Sequence, residues 1–209
     1  MKKKKYLFVS IVLAVVALLL IPQNVFALNR ITVKAQATIY MNDGKVYKDV
    51  FLKLPKSTAK KISFKVRDKK YTVASKDTDY LVVNHRKSNL ENGHVLKYSA
   101  FISTKGKQKK ATWMLLSGGK KEMSIWEMSD EGFGVTKDGS IWVVSKYVFR
   151  RLFWKEGDLP REAKVTWGGN YDKEWLKSIF AGHDKSLKII DSINHIYKST
   201  DIERIADAY

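Results

Sequence analysis

Asp191 and His195 stand four residues apart, the spacing that puts a carboxylate and an imidazole on one helix face, where they could share a metal ion. Zinc takes three or four protein ligands, and Asp184, Lys188 and Lys198 lie on the same stripe. Lysines repel a cation, so the stripe reads as a solvated ion-pair face, and no metal or other cofactor is expected. Of the other histidines, His183 also falls in the helical part, while His85 and His94 precede it. Asp77-Thr78-Asp79 is half of a calcium loop without its glycine and distal glutamate, and reads as a turn. Ser117-Gly118-Gly119 lacks the G-x-S-x-G elbow that would expose a nucleophilic hydroxyl, and is expected to be a hairpin turn. Glu122, Glu127, Asp130 and Glu131 cluster in sequence. Glycoside hydrolysis needs two carboxylates set by their separation in space, which sequence spacing does not fix. A hydrolase reading therefore requires a cleft with two facing acids, one desolvated enough to keep its proton. Neither a phosphate-cradling glycine loop nor a dinucleotide fingerprint occurs.

Lysine offers a different chemistry. Lys105, Lys107, Lys109 and Lys110 fall within six residues at an expected hairpin tip, beside Phe101 and Trp113, and Lys120 and Lys121 follow the next glycine pair. Such groups can hold anionic material with an affinity that falls as salt rises. The charge is uneven along the chain. Residues 28 to 121 carry 22 Lys/Arg against 6 Asp/Glu, whereas residues 122 to 209 carry 13 against 15. This asymmetry favours anionic lipid, lipopolysaccharide phosphates or acidic glycans as partners; no nucleic acid is expected. The competing role is solubility, because lysines on strand edges block edge-to-edge association. A binding role predicts that the basic side chains between Lys45 and Lys121 gather on one face.

Where such partners would be met follows from the first residues. Lys2 to Lys5 precede an apolar run of 16 residues, Tyr6 to Ile21, then Pro22, Gln23 and Asn24, and then Val25-Phe26-Ala27. That is the order of a secretory signal peptide, with cleavage expected after Ala27. A lasting membrane span takes about 20 residues, so the membrane is expected to be met only through this transient leader. An uncleaved anchor is the alternative. No cysteine occurs, so the remaining 182 residues have neither disulfides nor a thiol nucleophile and depend on packing for stability. The expected location is the periplasm or beyond.

The elements that must position these groups are mostly strands. Arg30 to Met41 is rich in β-branched residues, and Asn42-Asp43-Gly44 turns it into a second strand, a hairpin signal because glycine accepts positive φ. In KISFKV, Lys61, Ser63 and Lys65 alternate with Ile62, Phe64 and Val66, one wet face and one buried. YTVAS, DYLVVN, HVLKYSAFIST, ATWMLLSG, EMSIWEM, SIWVVSK and YVFRRLFW continue the series between turn residues. Trp126, Trp142 and Trp175 are assigned to the core, since a large aromatic buries roughly 150 to 250 Å². After Gly169 the period changes. Trp175, Leu176, Ile179 and Phe180 share a helix face, Gly182 stops that helix, and Asp184 is placed to cap the next. Leu187, Ile189, Ile190, Ile193, Ile196 and Tyr197 form a broad apolar face. Thr200 to Glu203 reads as a capping box for a last helix with Ile202, Ile205, Ala206 and Tyr209 inward. The expected fold is α+β: an antiparallel sheet or sandwich-like unit of about eight strands over residues 28 to 169, followed by three helices over residues 170 to 209 packing on the same core.

YKDVFLKLPKSTAKKISFKV and the closing DKSLKIIDSINHIYKSTDIERIADAY resemble the corresponding stretches of small exported proteins of unknown function from Bacteroidota. In that family a strand pair, a Leu-Pro and a KISFK-like strand lead into a Trp-containing sheet, and an Asp-Ile step leads to a final Tyr. The chain departs from it in lacking a cysteine near Lys185. The resemblance implies an exported envelope protein that is β-rich with C-terminal helices, and carries no catalytic or binding residues with it. Two function classes besides anion binding remain open: the hydrolase above, and an assembly or protein-interaction component exposing an apolar patch.

Overall fold

The computed structural model describes residues 34–84, 93–135, 141–145, 149–166 and 168–209. The leader and its cleavage position Ala27, and also His85, lie outside these residues. The described residues belong to one compact unit.

Twelve strands, β1 (Lys34–Met41), β2 (Val46–Lys53), β3 (Lys61–Val66), β4 (Lys69–Ala74), β5 (Thr78–Asn84), β6 (His94–Ile102), β7 (Gln108–Gly119), β8 (Met123–Ser129), β9 (Gly132–Val135), β10 (Ile141–Val144), β11 (Phe149–Lys155) and β12 (Arg161–Glu162), precede α1 (Lys173–Ile179), α2 (Asp184–Ser192) and α3 (Ser199–Asp207) among the described residues. Ten strands make one sheet in the order β12-β11-β8-β7-β6-β5-β1-β2-β3-β4, and β9 and β10 form a ribbon of their own. The β-rich body and three C-terminal helices match expectation. The strand number does not, and neither does a purely antiparallel sheet, because β12 bridges β6 in parallel at Arg161 and Ile102.

That bridge has a large consequence for shape. β6 pairs β7 along one edge; its other edge takes β5 in its first half and β12 at its end. β6, β7, β8, β11 and β12 therefore close into a small ring, with Ile102 N donating to Pro160 O at 2.8 Å. The remaining strands curl away from the same β6, and their far end returns to β7. There Trp113 N and Thr112 Oγ1 both donate to Ser57 O at 2.8 Å, and Trp113 Nε1 donates to Ala59 O and Ser75 Oγ at 3.2 Å.

Alternation along β7 explains why the segment Thr112 to Leu115 is buried on both faces. Trp113 and Leu115 face a core shared with Ile39, Leu52, Phe64, Leu81 and Leu96, while Met114 and Leu116 face the ring interior with Phe101, Trp126 and Leu152. A third core lies outside β8 and β11, where Met123, Ile125 and Phe153 meet Leu176, Phe180, Ile190, Ile196, Ile202 and Ile205. The helices thus share a core with the outer face of the ring.

The helix ends differ in detail from expectation. Asp172 caps α1, accepting from Trp175 N at 2.9 Å, and Gly182 stops it with φ +84°. Asp184 lies in the first turn of α2, after His183 at the cap. α3 opens at Ser199 with Lys198 at its cap and no side-chain capping bond, so Thr200 to Glu203 is helix rather than a capping box. Tyr197 is 58% exposed, because α2 ends at Ser192 and the helical period no longer applies there.

Candidate functional site

β3 alternates as its sequence predicts, and pairing carries that alternation across four strands. Directly opposite residues share a face, so the register Gln36↔Phe51, Phe51↔Lys65 and Lys65↔Lys70 makes one row on the outer side of β1 to β4. Lys34↔Lys53 is the adjacent row, and Lys61 stands further along β3. All five lysines are exposed, and Phe51, among them, is 55% exposed. Among the described residues none of the five has a carboxylate within ion-pair distance. Strands lie about 4.8 Å apart, so the opposed lysines repel one another across each pair. Of these residues, the sequence reading reached the outward alternation of Lys61 and Lys65. Nothing in the sequence marks Lys34 as opposite Lys53, or Phe51 as their neighbour, because those juxtapositions depend on register.

The lysines singled out from sequence fall elsewhere. Lys105 and Lys107 lie in the β6–β7 turn, closed by Gly106 N to Ser103 O at 2.8 Å and Ser103 N to Lys107 O at 2.9 Å, and Lys109 and Lys110 open β7; all four are exposed. Lys120 and Lys121 stand beyond the other end of β7, whose 12 residues span roughly 36 Å. Lys120 Nζ donates to Asp207 O, and Lys121 pairs with Glu156 at 3.0 Å. The expectation that the basic side chains between Lys45 and Lys121 gather on one face therefore fails, although they are not scattered evenly either. They form a sheet face, a hairpin tip and a turn tied to the fold. Ser117, Gly118 and Gly119 belong to the end of β7, not to the turn itself, which the glycine pair precedes. A Cβ on Gly119, at φ +80°, would lie 2.4 Å from Met123 O, so this close approach requires glycine.

The clustered carboxylates do not converge. Glu122 is exposed in the β7–β8 turn, Asp130 and Glu131 are exposed between β8 and β9, and Asp130 accepts from Ser145 Oγ at 3.3 Å. Glu127 is held by Arg151, its cross-strand neighbour, at 2.6 Å, with side-chain exposures of 17% and 12%. Arg151 also donates to Tyr171 Oη at 2.9 Å and Ser199 Oγ at 3.1 Å, tying β11 to the helical region. Burial pushes the Tyr171 phenol up, against the pull of Arg151. Asp172 and Asp191 are both held below the ordinary carboxylate range, the first by Lys164 and then the Trp175 amide, the second by Lys177.

Asp191 pairs with Lys177 at 2.8 Å, and α2 ends before His195, so these two do not share a helix face. No group of three or more His, Asp or Glu side chains able to hold a metal occurs among the described residues. Asp77 ends the single turn before β5, and Thr78 and Asp79 open the strand. Trp126 and Trp175 pack into cores, but Trp142 is 40% exposed. In β10 the alternation turns Ile141 inward and Trp142 outward, into a cavity of about 600 Å³ that His94, Glu127 and Phe149 also line. The residue that fills the core instead is Trp113, fully buried.

A second cavity, about 540 Å³, opens at the ring end that carries the β7–β8 and β11–β12 turns, with Trp126 and Trp154 in its wall. No family model, curated protein or solved structure matches the chain.

Proposed function

We propose that the chain is a non-enzymatic exported protein of the cell envelope, released from its leader, that binds phosphate-bearing lipid surfaces through the outer face of β1 to β4. The observation that supports this reading is the two cross-strand lysine pairings, Lys34↔Lys53 and Lys65↔Lys70, beside exposed Phe51; none of these lysines has an ion-pair partner among the described residues, and the Asp49 carboxylate at this face is taken by Gln36 at 3.1 Å. Keeping edges soluble accounts for lysine on β4, the last strand of the sheet. It gives no reason for Lys53 and Lys65 on β2 and β3, which are paired on both sides. A sheet of anions offsets the repulsion there, and Phe51 supplies an apolar contact with the interfacial region. Lys105, Lys107, Lys109 and Lys110 add a second cationic contact at the hairpin tip.

The test is co-sedimentation of residues 28 to 209 with anionic vesicles, neutral vesicles and lipopolysaccharide across a salt series. Binding to the anionic surfaces that weakens steeply with salt, and that Lys53→Glu/Lys65→Glu abolishes, is the expected result. Retention by anionic and neutral vesicles alike, or by none, rejects the reading. The two anionic arms separate glycerophospholipid from lipopolysaccharide. A hydrolase would instead need a pair of facing acids, and Glu127, the most enclosed of the clustered carboxylates, is occupied by Arg151.

A further inference from the structure

The cavity at the mouth of the ring combines a pair of indoles with a polar rim. Its wall holds two indoles, Trp126 on β8 and Trp154 on β11, with centroids 5.2 Å apart and planes at 55°. Both ring N–H groups are already bonded, Trp126 Nε1 to Ser124 Oγ at 2.7 Å and Trp154 Nε1 to Asp158 O at 2.9 Å. Ser124 Oγ in turn donates to Trp154 O at 3.2 Å. The rings are therefore fixed in orientation before any ligand arrives. Trp126 is almost wholly packed into the ring, and Trp154 is the partly exposed platform.

The rim is polar and mixed. Lys97, Lys120, Lys121 and Ser124 bring donors, while Glu156 and Asp158 bring acceptors. Lys97 Nζ lies 5.2 Å from the Trp154 ring centroid and is anchored by Asp79 at 3.0 Å. The Lys121–Glu156 pair is 80% and 54% exposed, so it contributes little to the fold and both groups can exchange one another for a ligand. An apolar platform bordered by donors and acceptors suits a pyranose, whose C–H face stacks while its hydroxyls bond sideways. Lys97 is held by Asp79 and Lys120 by Asp207 O, so an acidic sugar would be selected by its carboxylate taking the place of Glu156 beside the exposed Lys121. None of the lining side chains is an arginine fork of the kind that grips phosphate in two-pronged fashion. The volume lies within the span of about 300 to 1,000 Å³ usual for small-molecule sites.

We propose that this cavity is a saccharide-binding site for one or two hexuronate rings, with Trp154 as the stacking platform and Lys121 as the carboxylate contact. It is separate from the β1 to β4 face and stands whether or not that face binds lipid.

The experiment titrates residues 28 to 209, which contain the whole compact unit, with digalacturonate and with cellobiose, by calorimetry and by tryptophan emission. Digalacturonate is expected to bind saturably and at least about tenfold more tightly than cellobiose, a factor that one lost charge contact can supply. Trp154→Leu should weaken both sugars by about tenfold or more, because stacking serves each. Lys121→Gln should weaken digalacturonate and leave cellobiose unchanged; as an exposed substitution it keeps the test decisive if Trp154→Leu fails to fold. Lys53→Glu/Lys65→Glu should leave sugar binding intact, which distinguishes this site from the lipid-facing one. No saturable response to either sugar overturns the site, and equal affinity for the two overturns its acidic specificity.

Discussion

The two halves of the molecule use the same charged residues in opposite ways. From Glu122 onward, several lysines and arginines are paired with carboxylates: Arg151 with Glu127, Arg150 with Glu162, Lys164 with Asp172 and Lys177 with Asp191. In β1 to β4, Lys34, Lys53, Lys61, Lys65 and Lys70 have no such partner among the described residues, and two pairs of them face each other across strands. The first half is held mainly by apolar packing, with the Lys97–Asp79 pair at 3.0 Å as its ion pair among the described residues, and it leaves the charge of β1 to β4 pointing outward. In the second half, charge stitches sheet to helix. A net count cannot make this distinction, since it depends on which side chains become neighbours.

The contrast is testable first at its apolar extreme. Trp113 fills the first-half core and its indole N–H donates to two acceptors, Ala59 O and Ser75 Oγ, so Trp113→Ala should cost about 4 kcal/mol, read from the urea midpoint. Arg151→Ala is the counterpart in the second half and should cost about 3 kcal/mol, because it strands Glu127 and releases Tyr171 and Ser199. Replacing both partners, Arg151→Met with Glu127→Leu, should cost less than Arg151→Ala alone; a double variant that is worse would mean the pair is not what holds this joint.

Next comes acid. The carboxyl of Asp172 titrates below its unfolded value, so its contribution is present above about pH 4 and is lost as pH falls through the lower folded pKa. Asp172→Asn should flatten that part of the acid unfolding curve, and Asp172→Ala should cost about 1 kcal/mol at pH 7 as a lost helix cap. If the acid limb is unchanged in Asp172→Asn, other carboxylates carry it.

Much of the architecture was legible where local chemistry decides. Asn42-Asp43-Gly44 announces the first hairpin, Gly44 adopting φ +83° as expected, and the alternation of Lys61 to Val66 gives β3 its two faces. The 3.6-residue spacing of Trp175, Leu176 and Ile179 gives α1. What escaped depends on distant partners. β12 is two residues long and is a strand because β6 and β11 meet there, so ring closure has no local signature. β9, Gly-Phe-Gly-Val, lacks the β-branched run that marks a strand and is ordered by pairing with β10. Trp142 is flanked by apolar residues on both sides, so hydrophobicity alone could not say which faced inward. The candidate sites behave alike: a lysine-rich half was visible, but the row Phe51, Lys65 and Lys70 and the paired indoles at the ring mouth come from register and closure.

The smallest expected effect has the opposite sign from all the others. If Lys65 and Lys70 repel one another on a face kept basic for binding, Lys65→Gln should raise stability, by about 0.3 kcal/mol at low salt. At about 1 M salt, where the screening length is near 3 Å, the gain should vanish. The same variant should bind anionic vesicles less tightly, so that stability and binding move in opposite directions on one substitution. Urea titrations at the two salt concentrations, paired with vesicle co-sedimentation, measure both. A Lys65→Gln protein that is less stable at low salt would show that the lysine serves the fold. The two halves would then differ in how their charges are arranged, but not in what those charges are for.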